Sequence, residues 1–167
     1  LPFGYDHKYV YSEWGFNLKA TDLQAAIGVA QLEKLPDFVK ARRRNWCELR
    51  RLTEPLSDRL QLPSATPGSA PSWFGYMLMT TPSGRCKRAD IVDFLERNGI
   101  QTRMLFAGNM VRQPVMQVTR EGADYRIVRS LENSDHFMND SFWIGVYPGL
   151  TDEQLQYMAD VLTRACD

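Results

Sequence analysis

Gly15-Phe16-Asn17-Leu18-Lys19-Ala20-Thr21-Asp22-Leu23-Gln24-Ala25-Ala26-Ile27-Gly28 carries the densest local signal in the chain. Thr21 and Gln24 stand three apart, the spacing at which each side chain bonds the other's backbone N–H at a helix start. Leu23, Ala26, Ile27, Ala30 and Leu35 then recur near helical spacing, which predicts a helix ending before Pro36. Ala25, Ala26, Gly28 and Ala30 are small, so this face suits close approach by another helix or subunit, or tight packing within one core. The first twenty residues are rich in Tyr, Phe, Trp and Gly and read as an aromatic loop.

Outward from that stretch, Pro36 suits the first turn of a second helix running to about Leu56, with Phe38, Trp46, Leu49 and Leu52 as its apolar stripe. Arg42-Arg43-Arg44 lies on other faces and reads as solvated. Residues 57–71 hold three prolines and form an irregular connector. Strand character follows at Trp73–Thr80, Ile100–Leu105 and Phe142–Val146, with an amphipathic helix at Lys87–Asn98 stopped by Gly99. Residues 106–123 make a long loop, and Asp124–Leu131 and Asn133–Asn139 read as short helices. Thr151 and Gln154 form a second capping box, opening a terminal helix marked by Leu155, Met158, Val161 and Leu162. The expected fold is α+β, a small sheet covered by helices. The expected organisation is an aromatic loop at 1–20, linker helices at 21–56 and a small domain at 57–167.

Composition narrows the function classes. Of 167 residues, 20 are Lys or Arg and 20 are Asp or Glu, a neutral balance that speaks against a nucleic-acid binder. Hydrophobic residues at 44% are globular in proportion, and no apolar run approaches the length of a membrane span. Cys47, Cys86 and Cys166 are widely separated, which suits reduced thiols in a cytoplasmic protein and matches no metal or cluster spacing. The chain opens on Leu1-Pro2 without Met and is expected to continue a longer polypeptide. No catalytic motif stands alone. Arg103, Asn109 and Arg112 beside Phe106 place guanidinium forks and an amide where a phosphate or nucleotide could bind, or where Asp or Glu could pair with them.

The opening stretch resembles the hallmark segment of the DegT/DnrJ/StrS family of pyridoxal-phosphate-dependent nucleotide-sugar aminotransferases and dehydrases. Further stretches, including Pro71-Ser72-Trp73-Phe74-Gly75, Thr102-Arg103, Gly108-Asn109, Arg112-Gln113-Pro114 and Phe142 through Thr151, resemble its CDP-4-keto-6-deoxy-D-glucose 3-dehydrase branch, which serves lipopolysaccharide O-antigen synthesis. The resemblance implies the aspartate-aminotransferase-like fold-type I architecture, with this chain as linker helices plus small C-terminal domain and the large cofactor domain upstream. It implies that Asn17 and Lys19 approach the cofactor phosphate of the neighbouring subunit in a homodimer. Phe74, Arg103, Phe106, Asn109 and Arg112 are the expected substrate contacts. Phe74 stands where family aminotransferases commonly carry His, and this fits the dehydrase branch. The parent enzyme is expected to use pyridoxamine or pyridoxal phosphate, a His base and a 2Fe-2S cluster held by upstream cysteines, reduced by a flavin/iron-sulfur partner. The chain by itself is expected to hold no cofactor and no catalytic residue. A sugar aminotransferase of the same family and a non-catalytic dimerisation module are the alternatives.

Overall fold

In the computed structural model, residue 16 and residues 18–84 and 86–167 are described. Asn17 and residues 1–15 of the aromatic loop expected at 1–20 lie outside them. The chain divides into two compact units, Leu1–Pro36 and Asp37–Asp167.

The first unit contributes the start of helix α1, Asp22–Leu52. The expected cap forms there: the Gln24 amide donates to Thr21 Oγ1 at 3.3 Å, and the Thr21 amide donates to Gln24 Oε1 at 2.9 Å. Residues 21–38 are exposed throughout, including Leu23, Ile27 and Leu32. Pro36 does not end the helix, contrary to the sequence expectation. An interior proline costs roughly 3 kcal/mol, but nucleating a separate helix is itself costly, while propagation adds a hydrogen bond with each residue.

The second unit is built on a four-stranded antiparallel sheet in the order β1-β2-β4-β3, from Leu60–Gln61, Gly75–Thr80, Ser141–Gly145 and Thr102–Arg103 respectively. The central pair sets Tyr76 against Ile144 and Leu78 against Phe142. All four side chains are fully buried on one face. That face is covered by α2 (Arg88–Arg97) and α4 (Asp152–Cys166), which bring Ile91 and Leu95, and Leu155, Val161 and Leu162, into the same core. Spacings of four from Ile91 to Leu95, and of three from Leu155 through Met158 to Val161, make the helical stripe read from the sequence. The capping box opening α4 is present in full at Thr151 and Gln154.

The later half of α1 belongs to this core, through Trp46 and Leu49. Asn45 is buried and its amide donates to the Tyr147 carbonyl at 2.8 Å, while Arg44 pairs with Asp152 in the first turn of α4. Arg43 donates to the Ala70 and Pro71 carbonyls. Two of the three consecutive arginines are therefore fasteners, where the sequence suggested only a solvated face.

Three elements depart from expectation. Strand β1 sits inside the predicted connector, paired with Met79 and Thr80. Strand β3 keeps only two residues, because the chain turns sharply at Met104; the Glu96 carboxylate holds the strand's start, accepting from the Thr102 amide at 2.6 Å and its hydroxyl at 2.7 Å. Residues 124–131 are not helical. A bridge between Glu121 and Tyr125 and positive φ at Gly122 (84°) and Arg129 (67°) turn the chain there, and α3 follows at Glu132–Asp140.

Candidate functional site

Alternation along β2 and β4 puts Met77 and Trp143 on the sheet face away from the core, as register partners. Over them lies a cleft of about 560 Å³, walled by Trp73, Phe74, Leu105, Phe106, Phe137 and Trp143. Phe74 sits at the bend before β2 and is 54% exposed, so it is not core packing. Its ring stands edge-on to Trp143, with centroids 5.2 Å apart and planes at 77°. Such pairs add about 1 kcal/mol beyond the area they bury.

Trp73 holds the entrance from the other side. It stacks on Trp46 at 4.4 Å and 7°, and Trp46 meets Tyr76 edge-on at 5.8 Å. The Tyr76 hydroxyl lies 2.7 Å from Thr53 Oγ1, which itself donates to the Leu49 carbonyl at 2.8 Å. Burial pushes the Tyr76 phenol up, so it is a fixed neutral donor.

Phe106 is the most exposed ring in the cleft wall, at 77%. Its φ is +43°, in the left-handed region that costs a side-chain-bearing residue roughly 1–2 kcal/mol. Phe106 is the first central residue of a turn in which the Gly108 amide donates to the Leu105 carbonyl at 2.8 Å, and it follows directly on a tighter turn in which its own amide donates to the Met104 carbonyl at 2.7 Å. The following loop is anchored at Asp135 on α3. Arg112 forks onto both its carboxylate oxygens at 3.0 and 2.8 Å, and the Asn109 amide donates to it at 2.7 Å. These bonds, Arg112 first and Asn109 second, hold the Asp135 carboxyl down at about 2.

The structure thus brings Phe74 and Phe106 into one cleft and separates the rest. Asn109 is buried and Arg112 is committed to Asp135, the carboxylate pairing weighed from sequence. Arg103 borders a different depression, with Gly99, Tyr157 and the far edge of Trp143. Lys19 is exposed in the first unit. Trp143, Met77 and Phe137 carried no sequence signal beyond an apolar run; only sheet alternation could have set Trp143 apart from Phe142 and Ile144.

The cleft lining includes no Lys, His, Asp or Glu. Its described lining can hold a ring against aromatic faces, with Ser64, Ser72 and Gln61 as the polar side chains among the described residues. Among the described residues no group of three or more His, Cys, Asp or Glu could hold a metal ion. No described helix is long and apolar enough to cross a membrane.

The second unit is thus an α+β unit that presents an aromatic cleft on the open face of its small sheet. Residues 2–163 match the DegT/DnrJ/EryC1/StrS aminotransferase family, and the chain belongs to it. It is 48% identical over 158 residues, 95% of its length, to the lipopolysaccharide biosynthesis protein RfbH of Salmonella typhimurium, spanning 35% of that protein. It is 49% identical over 166 residues, 98% of its length, to dTDP-4-dehydro-2,6-dideoxy-D-glucose 3-dehydratase of Saccharopolyspora spinosa, spanning 34% of that enzyme. The chain thus spans about a third of the curated relatives it matches. Among solved structures, E. coli GDP-4-keto-6-deoxy-D-mannose-3-dehydratase with bound hydrated PLP superposes with TM-score 0.79 at 23% identity, over 93% of this chain and 38% of that one. That likeness fixes the fold: the aminotransferase-like architecture expected from the sequence.

Proposed function

We propose that this chain supplies one wall of the sugar site in a nucleotide-sugar 3-dehydrase that removes the C3 hydroxyl of CDP-4-keto-6-deoxy-D-glucose. The observation that supports it is Phe74, a half-exposed ring on the cleft wall at the position where the family resemblance puts a His in aminotransferases, in a chain about half identical to a 3-dehydratase over the residues they share. A His there could shuttle protons; a phenyl ring can only shape and dry the site.

Pyridoxamine or pyridoxal phosphate fits the described residues in part. An exposed cation at Lys19 suits its phosphate, with Asn17 two residues before it in sequence. No acid to pair the ring nitrogen and no base lines the cleft. When bound, the cofactor supplies an electron-withdrawing ring that makes loss of the C3 hydroxyl feasible. Lys19 and Asn17 hold its phosphate across a homodimer. Phe74 and Phe106 take the apolar face of the sugar and exclude water. Arg103 takes a more peripheral part of the nucleotide, and Asn109 and Arg112 act on substrate by fixing the loop that carries Phe106. The base, the 2Fe-2S cluster and the docking surface of its reductase belong to other parts of the polypeptide.

The test is the polypeptide containing this chain, supplied with CDP-4-keto-6-deoxy-D-glucose, pyridoxamine phosphate, a flavin/iron-sulfur reductase and a reduced nicotinamide as the two-electron donor. A 3-deoxy sugar is expected. An amino sugar formed with glutamate would assign the protein to the aminotransferases instead, and no conversion under either condition would leave a non-catalytic module.

A further inference from the structure

The Met104 carbonyl accepts two hydrogen bonds, from the Phe106 amide at 2.7 Å and from the Trp143 indole N–H at 3.1 Å. The first closes the tight turn centred on Leu105 that delivers the chain to Phe106, whose positive φ opens the next turn, from Leu105 to Gly108; the second ties the Met104 turn to the sheet. The same indole stands edge-on to Phe74 and closes over Gly75, where a β-carbon would lie 2.8 Å from its Cε3. One side chain therefore touches or bonds every segment that presents a ring to the cleft from β2 and from the Met104–Phe106 turn. A phenylalanine with positive φ stays so only where its surroundings hold it.

We infer that Trp143 is a positioning residue for substrate: it sets the relative placement of Phe74 and Phe106, and so the ring that the cleft accepts. This inference rests on the dehydrase reading for its substrate, but its geometry does not. Trp143 does not move a proton or carry the reaction; it pre-shapes the wall before substrate arrives, so its loss weakens substrate capture more than turnover.

The experiment is a double-mutant cycle in the full-length protein with Trp143→Phe and Phe106→Ala. Trp143→Phe keeps an aromatic ring but removes the indole N–H together with part of the bicyclic ring that carries it. Its expected effects are a KM for CDP-4-keto-6-deoxy-D-glucose raised about tenfold, the scale of one lost hydrogen bond, a kcat within about twofold, and faster amide hydrogen exchange at Phe106. Phe106→Ala, on an exposed turn, is expected to raise KM similarly, and the double variant to add little to either. Additive KM effects, or Phe106 exchange unchanged in Trp143→Phe, would overturn the inference. If the wild-type protein makes no 3-deoxy sugar, the dehydrase reading fails while the exchange measurement still decides whether Trp143 holds the turn. Should Trp143→Phe fail to fold, Trp143→His retains a ring N–H and is expected to rescue the Phe106 protection; loss of protection in a folded Trp143→His variant counts against the inference.

Discussion

Trp143 occupies the space that a side chain at position 75 would need. A β-carbon on Gly75 would sit 2.8 Å from the indole Cε3 and 3.3 Å from Cδ2. Gly75→Ala is expected to push the ring off β2 at a cost of about 1–3 kcal/mol, the usual range for overpacking. Thermal unfolding measures the cost, and a changed Trp fluorescence spectrum would report the displaced indole. An unchanged Tm and spectrum would mean that a β-carbon at position 75 fits without displacing the indole, against the expectation.

Phe106→Asn separates stability from binding. Asn tolerates the left-handed region that Phe106 occupies at φ 43°. The variant is expected to gain on the order of 1 kcal/mol, while substrate affinity falls with the lost ring. A variant less stable than wild type would show that the exposed ring makes contacts worth more than the strain.

The loop anchor should be acid-sensitive in a defined window. The Asp135 carboxyl lies at about 2 against an ordinary 3.8, held down by the Arg112 guanidinium and then by Asn109. A depressed carboxylate stabilises the fold above its unfolded value, and that contribution is lost as pH falls from about 3.8 through about 2. Carboxyl titration by NMR should show this, and Arg112→Ala should return the value toward 3.8. A value unmoved by that change would deny the pairing.

The cysteines should differ in reactivity. Cys166 is pushed up to about 12 from 9.0, mainly by burial and then by the neighbouring Cys86 thiol, which donates to the Cys166 carbonyl at 3.0 Å. Cys47 is exposed. An alkylating reagent at about pH 8 is expected to label Cys47 and spare Cys166 in the folded protein. Because the folded value is raised, the associated stability is intact below 9.0 and is lost as pH rises through about 12. Mass spectrometry of the labelled peptides checks the order; prompt labelling of Cys166 would contradict its burial.

What the sequence makes readable is local chemistry with a fixed spacing. Both capping boxes form, because Thr and Gln three apart need only a helix turn between them. Ile91 and Leu95 face the core as their spacing predicts. Pro36 misled because a local penalty says nothing of how strongly the helix beyond it is fastened, and Asn45 and Arg44 bond residues about a hundred positions away. The two residues of β1 are too few to show a period. In the site, Phe74 is legible through the family resemblance, and Phe106 as the ring beside Arg103, Asn109 and Arg112. Trp143 was hidden in the run Phe142-Trp143-Ile144, where composition alone does not say which face each side chain takes. The grouping of Arg103 with Arg112 failed in space because the turn at Met104 lies between them, sending one to the sheet and the other to α3.

The cleft wall is built from aromatic, aliphatic, thioether and hydroxyl-bearing side chains and one carboxamide. None of these groups changes charge between roughly pH 3 and pH 10. Its grip on a neutral ring should therefore be flat across that range. Any bell in the pH–rate profile of an enzyme that uses this wall then reports the acid and base contributed by the rest of the site, and substrate binding supplies the level baseline against which those two groups can be titrated.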